Sequence, residues 1–321
     1  FVVGGQDASG KPTTTVYELA PNTQTGDLGT WRTVDAAALP EGRSAASLAV
    51  ATDGLILVGG DNGSGPTNTV WKSTFDTKGQ PGAWKPGAPL IEPRSGALAS
   101  VVGQYIWVYG GSDAKGATAI VQRGLIEAAA LAANAPAGSP APPSAVTRWA
   151  VQGAGSPVNL PAPRTDPAGF AANGALYLVG GTDGSGPKSD VWWTTPTADG
   201  QIPGWQHLGA TDLPKEGLAG SAATVSGGTA FLVGGTTTSG VIAQAVRASL
   251  SPKAPFFQLG LLGATVPALK IEGEIGQQLG YLNAAGVGTI DFILLLLIGY
   301  VLAHREQTRA AFERLRRRRA G

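Results

Sequence analysis

The chain has 321 residues, of which 48 are Gly and only 14% are charged, a composition of sheets and turns rather than of helices. With no Cys and only two His, His207 and His304, it has no disulfides, no thiolate nucleophile and no Cys or His metal cluster. Its net charge of +1 is uneven: residues 304–321 carry seven Arg against two Glu, and the rest of the chain sets 16 cationic against 20 acidic side chains, so the large N-terminal part lacks the basic stripe that nucleic-acid binding requires.

The chain opens at Phe1 inside a strand-like run, with no Met anywhere and no signal peptide, and reads as part of a longer precursor. That run, FVVGG, is the first of five: LILVGG, IWVYGG, LYLVGG and AFLVGG follow, closed by Gly4-Gly5, Gly59-Gly60, Gly110-Gly111, Gly180-Gly181 and Gly234-Gly235. β-branched and aromatic residues before a Gly pair predict a strand entering a sharp turn. The intervals between pairs are nearly equal except the one from Gly111 to Gly180, which is longer. Other landmarks keep register with them. Arg43, Arg94 and Arg164 each lie at one and the same distance before the next Gly pair, while Tyr17, Trp71 and Trp192 follow a pair at a near-constant distance. A second Trp follows later, as Trp31, Trp84, Trp149 and Trp205. A period of about 50 residues is the size of one four-stranded propeller blade.

These residues resemble the kelch family, whose repeat runs from a Pro-Arg inner strand through a Gly-Gly strand to an aromatic third strand and an outer-strand Trp. The resemblance covers residues 1–258. Glu92-Pro93-Arg94 and Pro163-Arg164 match well, Pro40-Glu41-Gly42-Arg43 is looser, and the fifth repeat departs with Pro214-Lys215-Glu216-Gly217-Leu218 and with Phe256 or Phe257 where its Trp should stand. Five Gly pairs with four preceding inner strands predict an all-β propeller of at least five kelch-like blades, the first incomplete, followed by a C-terminal transmembrane helix. The resemblance also implies a ring of arginines near the channel mouth, Arg43, Arg94 and Arg164, able to receive a carboxylate or an acidic peptide. The alternative is that they bond neighbouring carbonyls or acidic side chains within the blades. Trp193 could stack on a sugar or peptide, against the competing expectation of packing between blades.

The third repeat is lengthened by an Ala and Pro-rich stretch, residues 128–145, read as a loop or arm on the side opposite the Gly-Gly turns. Beyond the propeller, residues 259–283 place Leu269, Ile271, Ile275, Leu279 and Leu282 near helical spacing, an amphipathic membrane-proximal linker. The segment 284–303 carries a single charge and has the length, about 20 residues, that crossing a bilayer requires. The basic tail 304–321 follows, so the positive-inside rule puts the C-terminus in the cytoplasm and the propeller outside. Asp291 lies within this span, about 10 Å from its outer end, where it could ionise in contact with headgroups or water. The alternative is contact with a donor on a partner membrane subunit, which Gly288 and Gly299 on roughly the same helical face would let approach closely.

No catalytic constellation stands out. Copper-radical oxidases built on such propellers need a Cys cross-linked to Tyr together with His ligands, which this composition lacks. Asp61-Asn62-Gly63 and Asp183-Gly184-Ser185 read as turns rather than calcium or phosphate loops. No cofactor, metal or nucleic-acid partner is expected. The resulting expectation is a membrane-anchored, bacterial kelch-like binding or scaffold protein, an accessory subunit of a membrane assembly able to take a peptide or glycan ligand. A surface glycan-active enzyme and a free-standing adhesin or sensor are the alternatives.

Overall fold

The structure, a computed structural model, describes residues 1–250 except 23, 129–141, 154, 208, 210, 211, 214, 215 and 227. Its strands form five blades in a propeller arrangement, with almost no helix. Blade 1 is a three-stranded sheet of β1 (Val2–Val3), β2 (Val16–Glu18) and β3 (Arg32–Thr33). Blade 2 has four strands, β4 (Ser47–Ala51), β5 (Gly54–Val58), β6 (Val70–Thr74) and β7 (Lys85–Pro86), in that spatial order. Blade 3 runs through β8 (Ser95–Val102), β9 (Tyr105–Asp113), the short β10 (Gly116–Ala117), β11 (Gln122–Ala128) and β12 (Ser144–Val151). Blade 4 comprises β13 (Ala168–Ala172), β14 (Ala175–Val179), β15 (Val191–Thr194) and β16 (Gln206–His207). Blade 5 pairs β17 (Ala222–Ser226), β18 (Thr229–Val233) and β21 (Ala245–Ser249), with a ribbon of β19 (Thr236–Thr237) and β20 (Gly240–Val241) between the last two in sequence. The inner strands β4, β8, β13 and β17 stand side by side.

Alternation along each strand sends successive side chains to opposite sheet faces, and here both faces are buried because a blade is covered on each side. In β5, Leu55 and Leu57 join Trp71, Trp84 and Leu39 in the core shared with blade 1, while Ile56 and Val58 join Ile106, Val108 and Val146 in the core shared with blade 3. β9 divides likewise: Ile106 and Val108 face blade 2, and Trp107 and Tyr109 face Leu176, Leu178 and Trp192 of blade 4. Each such side chain contributes about 1.5–3 kcal/mol when fully buried. The end blades break this symmetry. Tyr17 and Trp31 on blade 1 and Val233 on blade 5 are exposed, as is Val241 in its ribbon.

Consecutive blades are joined backbone to backbone, and this explains the Gly pairs. Both glycines of each pair have positive φ, for example +61° and +90° at Gly59 and Gly60. The second N–H donates to a carbonyl in the next blade: Gly5 to Arg43 at 2.7 Å, Gly60 to Arg94 at 2.7 Å and Gly181 to Leu218 at 2.8 Å. A Cβ on the first glycine would stand 2.2 Å from that same oxygen at Gly4, Gly59 and Gly180. The junction from blade 3 to blade 4 is looser, with a Cβ on Gly110 standing 3.0 Å from the Arg164 oxygen. The receiving residue also donates its own N–H backwards, Arg43 to Thr13, Arg94 to Thr67, Arg164 to Thr118 and Leu218 to Lys188. Two residues further on, the chain turns left-handed at Ala45, Gly96, Asp166 and Gly220, and these N–H groups link the hub: Gly96 to Ala45, Asp166 to Gly96 and Gly220 to Asp166.

A second stitch uses the outer tryptophans. The indole N–H of Trp84, Trp149 and Trp205 donates to the carbonyl of Ala37, Ala88 and Val158, at 2.6, 2.8 and 3.0 Å. Each acceptor lies six residues before the clamped Arg of the same blade. The strands of blade 3 also reach further into the Ala and Pro-rich stretch than its composition suggests, since Ala128 ends β11, Ser144 begins β12 and the two are paired. The segments 259–283, 284–303 and 304–321, and Phe256 and Phe257, lie outside the described residues. Among the described residues no helix is long and apolar enough to cross a membrane.

If the Gly pairs are required for close approach and not only for their φ, Gly59→Ala should cost more than Gly79→Ala, whose Cβ would meet nothing within 4 Å although its φ is +76°. The expected losses are about 1 kcal/mol for Gly79→Ala, from backbone strain alone, and at least about 3 kcal/mol for Gly59→Ala. Urea denaturation of both variants measures this, and equal losses would refute the clamp.

Candidate functional site

The arginines marked by the repeat all lie inside the blades. Arg43, Arg94 and Arg164 are 0%, 1% and 3% exposed. Arg43 donates through Nη1 to Thr67 Oγ1 at 2.9 Å and through Nη2 to Glu41 at 2.7 Å, and its guanidinium lies 4.7 Å from the Trp71 ring centroid. Arg164 pairs with Asp190, donates to the Pro163 carbonyl at 3.1 Å and stacks 4.3 Å from the Trp192 ring. In these two repeats the first aromatic is therefore the platform for the repeat's arginine, a contact worth about 1–2 kcal/mol when desolvated.

Arg94 differs. The equivalent position after Gly110-Gly111 holds Gln122 in place of a Trp, and Gln122 instead grips the backbone of Glu92, accepting from its N–H at 3.0 Å and donating to its carbonyl at 2.8 Å. Arg94 then has one side-chain partner, Glu92 at 2.9 Å, and its Nε and Nη1 are buried without another. Burial pushes the Arg43 and Arg94 guanidiniums below the usual arginine range, with Glu41 and Glu92 opposing the shift. Both remain charged at neutral pH. An incoming carboxylate would have to displace Glu41, Glu92 or Asp190, so the arrangement serves the blades first. Trp193 is half-buried on the face of β15 opposite Trp192. Gly288, Asp291 and Gly299 lie outside the described residues.

A polar cluster with no spacing motif lies between blades 2 and 3. Asp53, in the turn between β4 and β5, accepts from Lys72 Nζ at 2.5 Å, from the Ser144 N–H at 2.7 Å and from Ser144 Oγ at 2.8 Å. Lys72 also donates to Ser144 Oγ at 2.8 Å and to its carbonyl at 3.2 Å. The cluster borders a cleft of about 230 Å³, walled by Ala51, Val101, Gln104 and Ile126. That volume holds a side chain or a few ligand atoms rather than a drug-sized molecule. Ser144 is the first residue of β12, so the cluster pins the downstream foot of the inserted stretch to the neighbouring blade.

A Ser beside a Lys can form a nucleophile and base pair, provided the amine is neutral. Here the ammonium is ion-paired to Asp53, and the Ser144 hydroxyl gives its own hydrogen to that carboxylate. The geometry is that of a clamp. No pattern in the sequence marks this cluster: Lys72 stands out only by its burial, 5% exposed in a strand whose neighbours Val70, Trp71 and Ser73 are all buried.

Further charged groups are engaged away from this cluster. Glu18 pairs with Arg32 and accepts from Gln80 at 2.9 Å, tying blade 1 to blade 2. Asp183 is held well below the usual carboxylate range by the Ser185 N–H first, then by Lys188 and the Ser185 hydroxyl, as an Asx turn requires. Burial pushes the Tyr109 hydroxyl up, against the bond from Ser100. Among the described residues no three His, Asp or Glu side chains gather as a metal site. Compared with known proteins, the chain matches no protein-family model and is similar to no curated protein.

Partial burial pushes the Asp53 carboxyl up, but the bonds from Lys72 and Ser144 outweigh this and hold it below the ordinary aspartate value. A carboxylate depressed in the folded state adds stability above its unfolded pKa of about 3.9 and loses it as the pH falls through the folded value. Lys72→Met should therefore cost about 1–3 kcal/mol at pH 7, with the difference from wild type narrowing below about pH 4. Denaturation curves at pH 7 and pH 3 measure both, and a difference independent of pH would exclude the ion pair as its source.

Proposed function

We propose that this chain is a non-catalytic binding and scaffolding propeller of the kelch kind, held outside the cytoplasm by one membrane-spanning helix over residues 284–303, and that it serves as an accessory subunit of a membrane assembly. The observation that carries the reading is that long apolar span, interrupted only by Asp291 and followed at once by seven Arg. A plain anchor needs no carboxylate. One placed among apolar residues costs about 2.5–3.5 kcal/mol on insertion scales, a cost offset by a donor on a neighbouring helix. Gly288 and Gly299, on roughly the same face as Asp291, would let that helix approach closely.

The kelch reading is supported by the position of the repeat's arginine, at one fixed distance before each of three Gly pairs, and by the two roles of its backbone in the clamp. The non-catalytic reading is supported by how the strongest polar cluster is spent, since every polar group of Asp53, Lys72 and Ser144 described above is engaged within the cluster. A rigid scaffold of this kind presents loops to a partner, which suits recognition of a peptide or glycan.

Purification of the full-length protein from its own membrane in mild detergent, followed by mass spectrometry of co-migrating chains, tests the reading. A stoichiometric membrane protein should accompany it and should be lost on Asp291→Leu while the propeller's Tm stays unchanged. A chain that runs alone, or a partner retained by the variant, would overturn the subunit assignment.

A further inference from the structure

Trp107, in β9, is the most deeply buried tryptophan of the chain, 1% exposed, and packs with Leu176, Leu178 and Trp192 of blade 4. Its indole differs from those of the outer tryptophans. Trp84, Trp149 and Trp205 each donate the ring N–H to a carbonyl, whereas the ring N–H of Trp107 has no acceptor among the described residues. Native interiors rarely leave a buried donor in that condition, because the bond it makes to water in the unfolded chain is then lost without replacement.

Trp107 lines a cavity of about 10 Å³ between blades 3 and 4, shared with Arg123 and Gln152 on one side and with Gly200 and Gln201 on the other. The walls are held by specific bonds. Arg123 donates through Nη1 to the Gly200 carbonyl, and its guanidinium lies 5.2 Å from the Tyr105 ring centroid. Gly200 sits so close to that ring that a Cβ would stand 2.7 Å from it, and its N–H closes the turn by donating to the Thr197 carbonyl at 2.9 Å. Val121 and Val158 complete the apolar part of the lining. Asn159, 6% exposed, accepts from the Val121 N–H at 3.0 Å and donates to the Gly153 carbonyl at 2.9 Å, while Trp205 holds the Val158 carbonyl. The cavity is thus built by both blades, with one buried donor in its wall.

Its size selects the occupant. A volume of about 10 Å³ is the least that admits a water molecule and is too small for an organic ligand. A buried water also needs about two to four polar partners. Trp107 offers a donor, and the side-chain amides of Gln152 and Gln201, one from each side, offer acceptors that no other bond engages among the described residues. We propose that the cavity binds one ordered water, which accepts from Trp107 Nε1 and donates to the amide oxygens of Gln152 and Gln201, so that it joins blade 3 to blade 4. This is the junction whose Gly-Gly turn stands off, with a Cβ on Gly110 at 3.0 Å from the Arg164 oxygen where the other three described junctions have 2.2 Å. The bridge adds a polar link at the seam that the backbone clamp holds least closely. It is independent of the membrane reading.

The test uses the full chain in detergent with nitrogen-15 in the indole rings, the Trp107 signal being identified by correlation within the residue. We expect a rotating-frame cross-peak of dipolar sign between the Trp107 indole proton and water, the mark of a bound molecule rather than of proton exchange. Ala150 also lines the cavity, and Ala150→Val enlarges that wall. This change should remove the cross-peak and lower the Tm, because it displaces the water and strands the indole N–H. A wild-type protein without the dipolar cross-peak, a cross-peak that survives in Ala150→Val, or a Tm that does not fall, as when a dry void is filled, would overturn the site.

Discussion

The constraint on which this structure depends is the contact of backbone with backbone between consecutive blades. At three of the four described junctions a Gly-Gly turn in one blade and the residue one to four positions ahead of the inner strand in the next approach so closely that no Cβ fits, and the glycine N–H and that residue's carbonyl satisfy each other. Buried peptide groups left without partners would cost about 1–3 kcal/mol apiece, so the clamp fixes the blade-to-blade register before any side chain is considered. The side-chain cores then follow from it. Once the register is set, alternate residues of each strand fall on alternate neighbours, and both faces must be apolar.

Side chains around the clamp vary, and their variation shows which part is essential. Arg43 and Arg164 lie against Trp71 and Trp192, Arg94 has Gln122 in place of the aromatic, and Leu218 has no guanidinium at all. All four keep the backward N–H bond: Arg43 to Thr13, Arg164 to Thr118, Arg94 to Thr67 and Leu218 to Lys188. The arginine is thus an addition that fills the space beneath the turn and neutralises Glu41, Glu92 or Asp190. That arrangement also leaves the Nε atoms of Arg43, Arg94 and Arg164 without a protein partner, a cost borne at each of these repeats.

Much of the fold was legible because the clamp leaves marks at fixed spacing. The Gly pairs, the arginines at a fixed distance ahead of them and the tryptophans Trp71, Trp192, Trp84, Trp149 and Trp205 each correspond to a contact, and five blades with an incomplete first sheet follow from counting the Gly pairs. What the arginines contact was less legible. Their spacing is equally compatible with a channel-facing ring and with pairing inside the blade, and only the positions of Glu41, Glu92 and Asp190 distinguish the two. Leu39, Leu90 and Leu160, each four residues before its Arg and each buried, form a further periodic signal. The Asp53, Lys72 and Ser144 cluster was not legible at all, because its members come from three strands or turns with no mutual spacing. Leu218 was read as a departure from the repeat, since the sequence cannot display that the clamped position acts through its backbone.

The most direct test of the clamp is residue-resolved amide hydrogen exchange on the folded chain. The Gly5, Gly60 and Gly181 amides and those of Gly96, Asp166 and Gly220 should exchange only through global unfolding, because each is bonded into an adjacent blade, while the Gly79 amide, bonded only within its own turn to the Asp76 carbonyl, exchanges by local opening. Exchange of Gly60 and Gly181 as fast as Gly79 would contradict the clamp, since the blades would then be held by their side-chain cores alone.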